Sequence, residues 1–287
     1  MALAGRPNVG KSTLVNAIVG TKVAIVSDKP QTTRRAIRGV ATGEDWQLVL
    51  VDLPGVQRPR DALTERMQRR VEQEVGDADA AVLLLNGEQA VGPGDRFLAA
   101  TLQEAGRTIV VAVNKVDRLH RATTMEALEA AAGLCPGAEV FPISARSGAG
   151  VGELVAHLVS LLPPGPFYFP AGQRSDQDEG VELAELVREQ VLRRARQEVP
   201  HAVEVHVDEV DRSRPDLVRV QAHVWVETES QKGILIGAGG RMVRAIGTAA
   251  RKEIEARLDE RVHLDLSVRV RRRWRADDAL LDRLGLD

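Results

Sequence analysis

The first half of the chain alternates short apolar runs with helical patterns. Strand-like runs fall at Gln47–Asp52, Ala80–Leu85, Thr108–Val113 and Glu139–Ile143. Between them, apolar residues recur at helical spacing over Ser12–Val19, Thr64–Val75, Asp95–Ala105, Met125–Ala132 and Val151–Leu162. Strand runs that are apolar throughout suit strands covered on both faces, so this order predicts an α/β domain with a mostly parallel sheet and helices on both faces. Such sheets bind ligands outside the carboxyl ends of their strands, where Asp52 and Asn114 stand.

The pattern breaks at Pro163–Gly180, a stretch with four prolines. Beyond it the order is helix (Val181–Gln197), strand (Ala202–Val210), strand (Leu217–Glu227), short helix (Ser230–Ile236), a glycine-rich turn, longer helix (Arg241–Leu258) and strand (Val262–Val270). That order predicts a smaller α+β domain over 181–287, joined by a linker over 166–180 to a first domain over 1–165.

Composition changes this picture little. The formal charge is −2 over 287 residues, so no whole-chain attraction to polyanions is expected. The charge is uneven, however. From Ser230 to Arg275 twelve basic residues face five acidic ones, a local charge of +7, which suits phosphate contacts. Only six of the 39 basic residues are lysine, a coding bias that makes any single arginine less informative. One cysteine, Cys135, excludes an internal disulfide or a cysteine metal cluster, and the six histidines have no ligand spacing. No apolar run reaches the roughly 18–20 residues of a spanning helix. The expectation is a soluble, intracellular protein of two domains.

The chemistry is concentrated in a few short motifs. Gly5-Arg6-Pro7-Asn8-Val9-Gly10-Lys11-Ser12 fits G-x-x-x-x-G-K-[ST]. Its glycines let the backbone wrap phosphates, and the following helix points its N–H groups at them. Asn8, Val9, Gly10 and Thr13 would line that wrap, Lys11 would reach the β- and γ-phosphates, and the Ser12 hydroxyl would bind Mg²⁺. Asp52 would hold the same ion through water, and Gly55 would offer its N–H to the γ-phosphate. Asn114-Lys115-Val116-Asp117 ends another strand. A buried carboxylate at Asp117 accepts the ring N–H and exocyclic amine of guanine together, a pair that adenine lacks. Asn114 and Lys115 would brace the base, and Ser144-Ala145 would give a backbone N–H to the guanine oxygen. In the second half, Gly237-Ala238-Gly239-Gly240 has the form of the loop by which KH domains clamp about four single-stranded nucleotides. Lys232, Gly237, Gly239, Gly240, Arg241 and Arg244 are the RNA-binding candidates, and aromatic residues at 3% leave little room for base stacking.

In this order and spacing the first-half motifs resemble the GTPase branch of the P-loop NTPases. The resemblance puts Gln31-Thr32-Thr33-Arg34 in the first switch loop, with Thr33 as the Mg²⁺-binding threonine and Thr32 in reserve; Lys11, Thr33 and Gly55 are then the catalytic candidates. Val56 follows Gly55, where Ras-like GTPases carry a water-orienting glutamine, so intrinsic hydrolysis should be slow. The resemblance is to GTPases with a hydrophobic residue there, several of which use an asparagine like Asn8 to bind K⁺ in place of an arginine finger, and it implies K⁺-stimulated hydrolysis.

Nearly end to end, the chain resembles the bacterial Era-type GTPases, a GTPase domain joined to a type II KH domain. The second half adds Glu229-Ser230-Gln231-Lys232, Ile246-Gly247-Thr248-Ala249-Ala250-Arg251-Lys252-Glu253 and the Trp274 tail to that resemblance. It implies GTP and GDP with Mg²⁺ as ligands, the 3′ end of 16S rRNA and the 30S subunit as partners, and a role in 30S maturation. It also implies a cytoplasmic protein with peripheral association on the inner face of the membrane, and we expect a monomer. Two alternatives stand beside it: an RNA-binding KH module whose nucleotide site is structural, and a GTPase acting on another RNA. Where Era-type relatives begin several residues earlier, Met1–Ala4 leaves only a very short first strand, with a weakened sheet edge expected.

Overall fold

A computed structural model describes residues 1–29, 31–55, 61–195 and 199–286, without the side chains of His201 and Arg283. The chain divides into two compact units. The first comprises Met1–Ala24, Thr33–Asp176 and Leu286; the second comprises Ile25–Thr32 and Gln177–Gly285.

In the first unit the strands are β1 (Ala2–Ala4), β2 (Ile37–Thr42), β3 (Gln47–Asp52), β4 (Ala80–Asn86), β5 (Thr108–Asn114) and β6 (Glu139–Pro142). Their spatial order is β2-β3-β1-β4-β5-β6. Every neighbouring pair is parallel except β2 with β3. The helices are α1 (Lys11–Val19), α2 (Ala62–Asp77), α3 (Pro93–Glu104), α4 (Arg121–Leu134) and α5 (Val151–Ser160). One face of the sheet packs on Leu14, Val15, Leu154 and Leu158 from α1 and α5. The other packs on Val71, Val75, Leu98, Leu102 and Ala131 from α2, α3 and α4. All seven residues of β4 are buried, as its uniformly apolar run requires.

Two features depart from the sequence reading. β1 is short, but it is no edge: it lies between β3 and β4 with Ala2, Leu3 and Ala4 fully buried. The hydrogen bonds of its neighbours on both sides secure it, so the expected weak edge does not arise. β2 carried no strand signal, because Arg38 and Gly39 interrupt its apolar pattern. Gly39 is required by packing: a Cβ there would stand 2.5 Å from Val15 Cγ1 of α1.

Residues 166–176 belong to the first unit. Gln47 straps them down, its Oε1 accepting from the Tyr168 and Phe169 amides at 2.9 Å and its Nε2 donating to the Phe169 carbonyl at 2.9 Å. Arg174 O accepts from Val40 N at 2.8 Å. Phe167 and Tyr168 remain exposed.

In the second unit α6 (Glu179–Arg194) and α7 (Val199–Ala202) precede β7 (Glu204–Arg214) and β8 (Leu217–Val226). Then come α8 (Glu229–Ile236), α9 (Arg241–Leu258), β9 (Val262–Val270) and α10 (Asp278–Arg283). The sheet order is β7-β8-β9, with β7–β8 antiparallel and β8–β9 parallel. Val205, Val220, Val224 and Val226 pack against Leu183, Val187 and Val191 of α6 and Ile246, Ala250 and Ile254 of α9. Trp274 is fully buried, and its Nε1 donates to the Ala202 carbonyl at 2.9 Å.

Candidate nucleotide site and nucleic-acid face

The loop between β1 and α1 is built by close approach. A Cβ on Gly5 would meet the Leu84 carbonyl at 2.7 Å, and one on Gly10, at φ +107°, would meet Asn114 Nδ2 at 2.3 Å. α1 then starts with no side-chain cap and no acidic residue in its first turn. By contrast, α2 has a capping box from Asp61 and Thr64. The uncapped N–H groups and the positive end of the helix dipole leave α1 suited to an anion.

Lys11 is buried in the wrap of the loop, donating from Nζ to the carbonyls of Gly5 at 3.0 Å and Arg6 at 3.1 Å. Burial brings its pKa down to about 8, against an opposing pull from Asp52. Arg6 anchors the loop to α3 through Asp95, at 2.8 Å.

Three oxygens converge beside Lys11. Ser12 Oγ donates to Asp52 Oδ2 at 2.6 Å, and Thr33 Oγ1 lies 3.1 Å from Ser12 Oγ and 3.2 Å from Asp52 Oδ2. Thr32 is elsewhere, its hydroxyl donating to the Lys29 carbonyl at 2.6 Å. Asp52 is fully buried, and its other oxygen, Oδ1, has no hydrogen-bond partner. Burial pushes its carboxyl up in pKa despite Lys11, Ser12 and Thr33. A buried carboxylate oxygen without a donor, within a cluster of hydroxyls, is a donor set suited to a hard divalent cation. Gly55 lies against the same loop, where a Cβ would stand 2.9 Å from Pro7 Cγ. Val56 lies outside the described residues.

Asn114, at the end of β5, bridges two loops: Nδ2 donates to the Val9 carbonyl at 2.8 Å, and Oδ1 accepts from the Ala145 amide at 2.9 Å. The Ala145 amide, expected to face a guanine oxygen, is thus already engaged. Ser144 is fully buried, and its Oγ accepts from Ser147 N at 3.2 Å, the role of a turn serine. Lys115 takes φ +71° and pairs with Glu88 at 3.3 Å. Asp117 departs from expectation: it stands exposed on the 3-10 turn Val116–Arg118. The turn carries it past the end of β5. Asn8 is exposed, at φ +64°.

In the second unit α8 ends at Gly237, and Gly237, Gly239 and Gly240 take φ of +68°, +59° and +75°. Cβ atoms at Gly239 and Gly240 would meet open space, so glycine is required there by backbone conformation. Arg241 folds back over the turn, its Nε donating to the Ala238 carbonyl at 3.2 Å. Lys232 lies on α8 and Arg244 on α9. Sequence reading missed an extension of this face. Arg194 joins Arg241, Arg244, Thr248 and Lys252 around an open basic groove of about 520 Å³. The helical spacing of the α9 residues was the available signal.

Residues 1–115 match the family described as 50S ribosome-binding GTPase, and residues 198–275 match the KH domain. GTPase Era of Mycobacterium tuberculosis is 45% identical over 291 residues, covering 99% of this chain and 97% of the relative. GTPase Era of Mycobacterium avium is 44% identical over 290 residues, with the same coverage. Two solved structures are similar at 31% identity, each covering 99% of this chain and 97% of its own. Era in complex with MgGDPNP and nucleotides 1506–1542 of 16S ribosomal RNA gives a TM-score of 0.96. A variant of Aquifex aeolicus Era bound to GDP and AlF4⁻ gives 0.95. With a GTPase part and a KH part in the same order and this identity over almost its whole length, the chain belongs to the Era GTPase family.

Proposed function

We propose that this chain is a GTP-hydrolysing switch that binds the single-stranded 3′ end of 16S rRNA and assists maturation of the 30S subunit. The convergence of Ser12, Thr33 and Asp52 around an unpartnered buried carboxylate oxygen carries the nucleotide half of this reading. Relatives bind a magnesium complex of a GTP analogue, and GDP with a fluoroaluminate.

The residues divide the work as follows. The phosphates lie in the wrap of Gly5 to Ser12, against the uncapped start of α1, with Val9, Gly10 and Thr13 contributing backbone. Lys11 exchanges the Gly5 and Arg6 carbonyls for β- and γ-phosphate oxygens. Ser12, Thr33 and Asp52 hold Mg²⁺, which when bound offsets charge on the phosphates. The Gly55 N–H meets the γ-phosphate, so the turn and the Thr33 loop both report whether that group is present. Asp117 selects guanine through two N–H groups, with Asn114, Lys115, Ser144 and Ala145 shaping the base site. K⁺ held at Asn8 would add positive charge beside the phosphates, where other GTPases use an arginine finger, while Val56 leaves no side chain to orient water.

RNA lies on the face formed by Lys232, the Gly237–Gly240 turn, Arg241 and Arg244. The glycines admit phosphates closely, and the local excess of basic residues attracts them. The relative's complex with nucleotides 1506–1542 of 16S ribosomal RNA supports RNA as the ligand. We propose a cytoplasmic monomer; no helix among the described residues is long and apolar enough to cross a membrane.

The test is binding of a labelled single-stranded RNA from the 3′ end of 16S rRNA, with GDP and with a non-hydrolysable GTP analogue. Tighter binding in the GTP state is expected, and RNA must then raise affinity for the analogue by the same factor. Equal RNA affinity in both states would overturn the switch.

A further inference from the structure

Ten consecutive residues of α6, Leu183 to Leu192, are buried. A helix on the surface of a domain ordinarily buries one stripe and exposes the other. Here Leu183, Leu186, Val187 and Val191 enter the core of the second unit. Yet Glu185, Arg188, Glu189 and Gln190 are covered as well.

Glu185, Arg188 and Glu189 share one face of the helix, and that face grips residues 25–32 at both ends. Val26 N donates to Glu189 Oε1 at 3.0 Å. At the other end Arg188 Nη2 donates to the Thr32 carbonyl. Glu185 sets the guanidinium, with Nε to Oε1 at 2.9 Å and Nη2 to Oε2 at 2.5 Å. The peptide group is planar, so fixing the Thr32 carbonyl also fixes the direction of the Thr33 N–H and Cα. Thr33 is the residue whose hydroxyl meets Ser12 and Asp52.

We propose that Arg188, oriented by Glu185, is a positioning residue for Thr33, and that this link carries nucleotide state from the Thr33 loop to the RNA-binding unit. The proposal rests on the reading of Thr33 as the threonine that answers the γ-phosphate. Arginine suits the task because its rigid fork serves a carboxylate and a carbonyl together, which a lysine ammonium does less well. Packing alone does not account for it. Arg188 is fully buried, and its Nη1 has no hydrogen-bond partner, a cost that an apolar side chain of similar size would avoid.

The experiment uses the full chain with Arg188→Gln, Arg188→Lys and Glu185→Gln. Affinities for GDP and a non-hydrolysable GTP analogue are measured by calorimetry, hydrolysis by steady-state kinetics, and RNA affinity in each nucleotide state. Arg188→Gln should lower kcat and analogue affinity by about tenfold each, the scale of one charge-assisted hydrogen bond, while GDP affinity stays within about twofold. The RNA preference for the analogue state should fall towards unity, and Arg188→Lys should recover part of every loss. A purely structural role would move GDP and analogue affinities together; that result, or wild-type kcat and nucleotide preference in a folded variant, would overturn the proposal. Should Arg188→Gln fail to fold, the double variant Glu185→Leu/Arg188→Met keeps the bulk without burying a lone charge, and the same readouts decide. If the unaltered protein shows no nucleotide preference for RNA, the switch reading fails, while kcat and the analogue-to-GDP ratio still judge Arg188.

Discussion

Asn114 joins two loops that are distant in sequence, and its replacement by alanine separates a structural brace from a base contact. The side chain satisfies the Val9 carbonyl and the Ala145 amide at 2.8 and 2.9 Å. Val9 is 1% exposed and Ala145 5%, so water does not readily replace the lost partner. Leaving a buried polar group unsatisfied costs about 1–3 kcal/mol, which for two groups with some relaxation gives about 2–4 kcal/mol. At roughly 2–4 °C per kcal/mol for a unit of this size, Asn114→Ala should lower the first unit's Tm by about 5–15 °C. The assay is thermal unfolding followed by circular dichroism, with nucleotide stripped by chelation and gel filtration. A second arm tests the geometry. Gly10→Ala places a methyl on Asn114 Nδ2 and also strains a residue at φ +107°. Against Asn114→Ala the clash vanishes and only the backbone strain remains, so the double variant should lose less than the sum of the singles. An unchanged Tm without nucleotide, combined with weakened GDP binding, would refute the brace and leave Asn114 as a base contact only.

Other outcomes follow from the same geometry. Bound phosphates favour the Lys11 ammonium and raise its pKa from about 8. Nucleotide binding should therefore be independent of pH below 8 and weaken above it by up to about tenfold per unit, with proton uptake visible by calorimetry in buffers of different ionisation enthalpy. The same depressed pKa means that the unfolded chain holds more protons between pH 8 and the ordinary lysine value, so this group's penalty on stability is relieved as pH rises through that window. Gly239→Asp has open space and a residue tolerant of positive φ; it should weaken RNA binding about tenfold or more through phosphate repulsion while shifting Tm little. Cys135 is buried, and burial pushes its thiol pKa up; iodoacetamide should label it only after unfolding, and rapid labelling of the native protein would contradict that burial. Hydrolysis in KCl should exceed that in NaCl, and Asn8→Ala should remove the difference; equal rates would end the K⁺ assignment.

The nucleotide motifs were legible because phosphate wrapping demands glycine at spaced positions. Gly5, Gly10 and Gly55 are each crowded by a neighbour where a side chain would sit. The alternation of strands and helices was equally plain, since parallel strands must be apolar on both faces. Local pattern could not reveal how the chain's polar groups are used at a distance. β2 was hidden because Gly39 answers to the packing of α1 and not to strand propensity. The engagement of the Ala145 amide by Asn114 depends on a contact between residues 31 positions apart. The burial of Glu185, Arg188 and Glu189 on α6 could not be read from the sequence, because periodicity cannot show that Val26 and Thr32 will meet that face. Thr32 and Thr33 are chemically alike; the family resemblance favoured Thr33, and the fold brings its hydroxyl to Ser12 and Asp52 while that of Thr32 meets the Lys29 carbonyl.

The allocation of residues 25–32 to the second unit has a temporal consequence. Some 240 residues of synthesis separate Thr32 from Trp274, about 10–50 s at 5–20 residues per second. For the first part of that interval the ribosome has exposed the phosphate loop, Thr33 and Asp52, but neither Arg188 nor Glu185 has yet been made. A nascent chain therefore passes through a period, between synthesis of Ala145 and of Glu185, in which every residue of the nucleotide pocket has been made and its restraint is absent. During that window nucleotide occupancy answers to cellular GTP and GDP alone, and RNA gains a say in it only when translation nears its end.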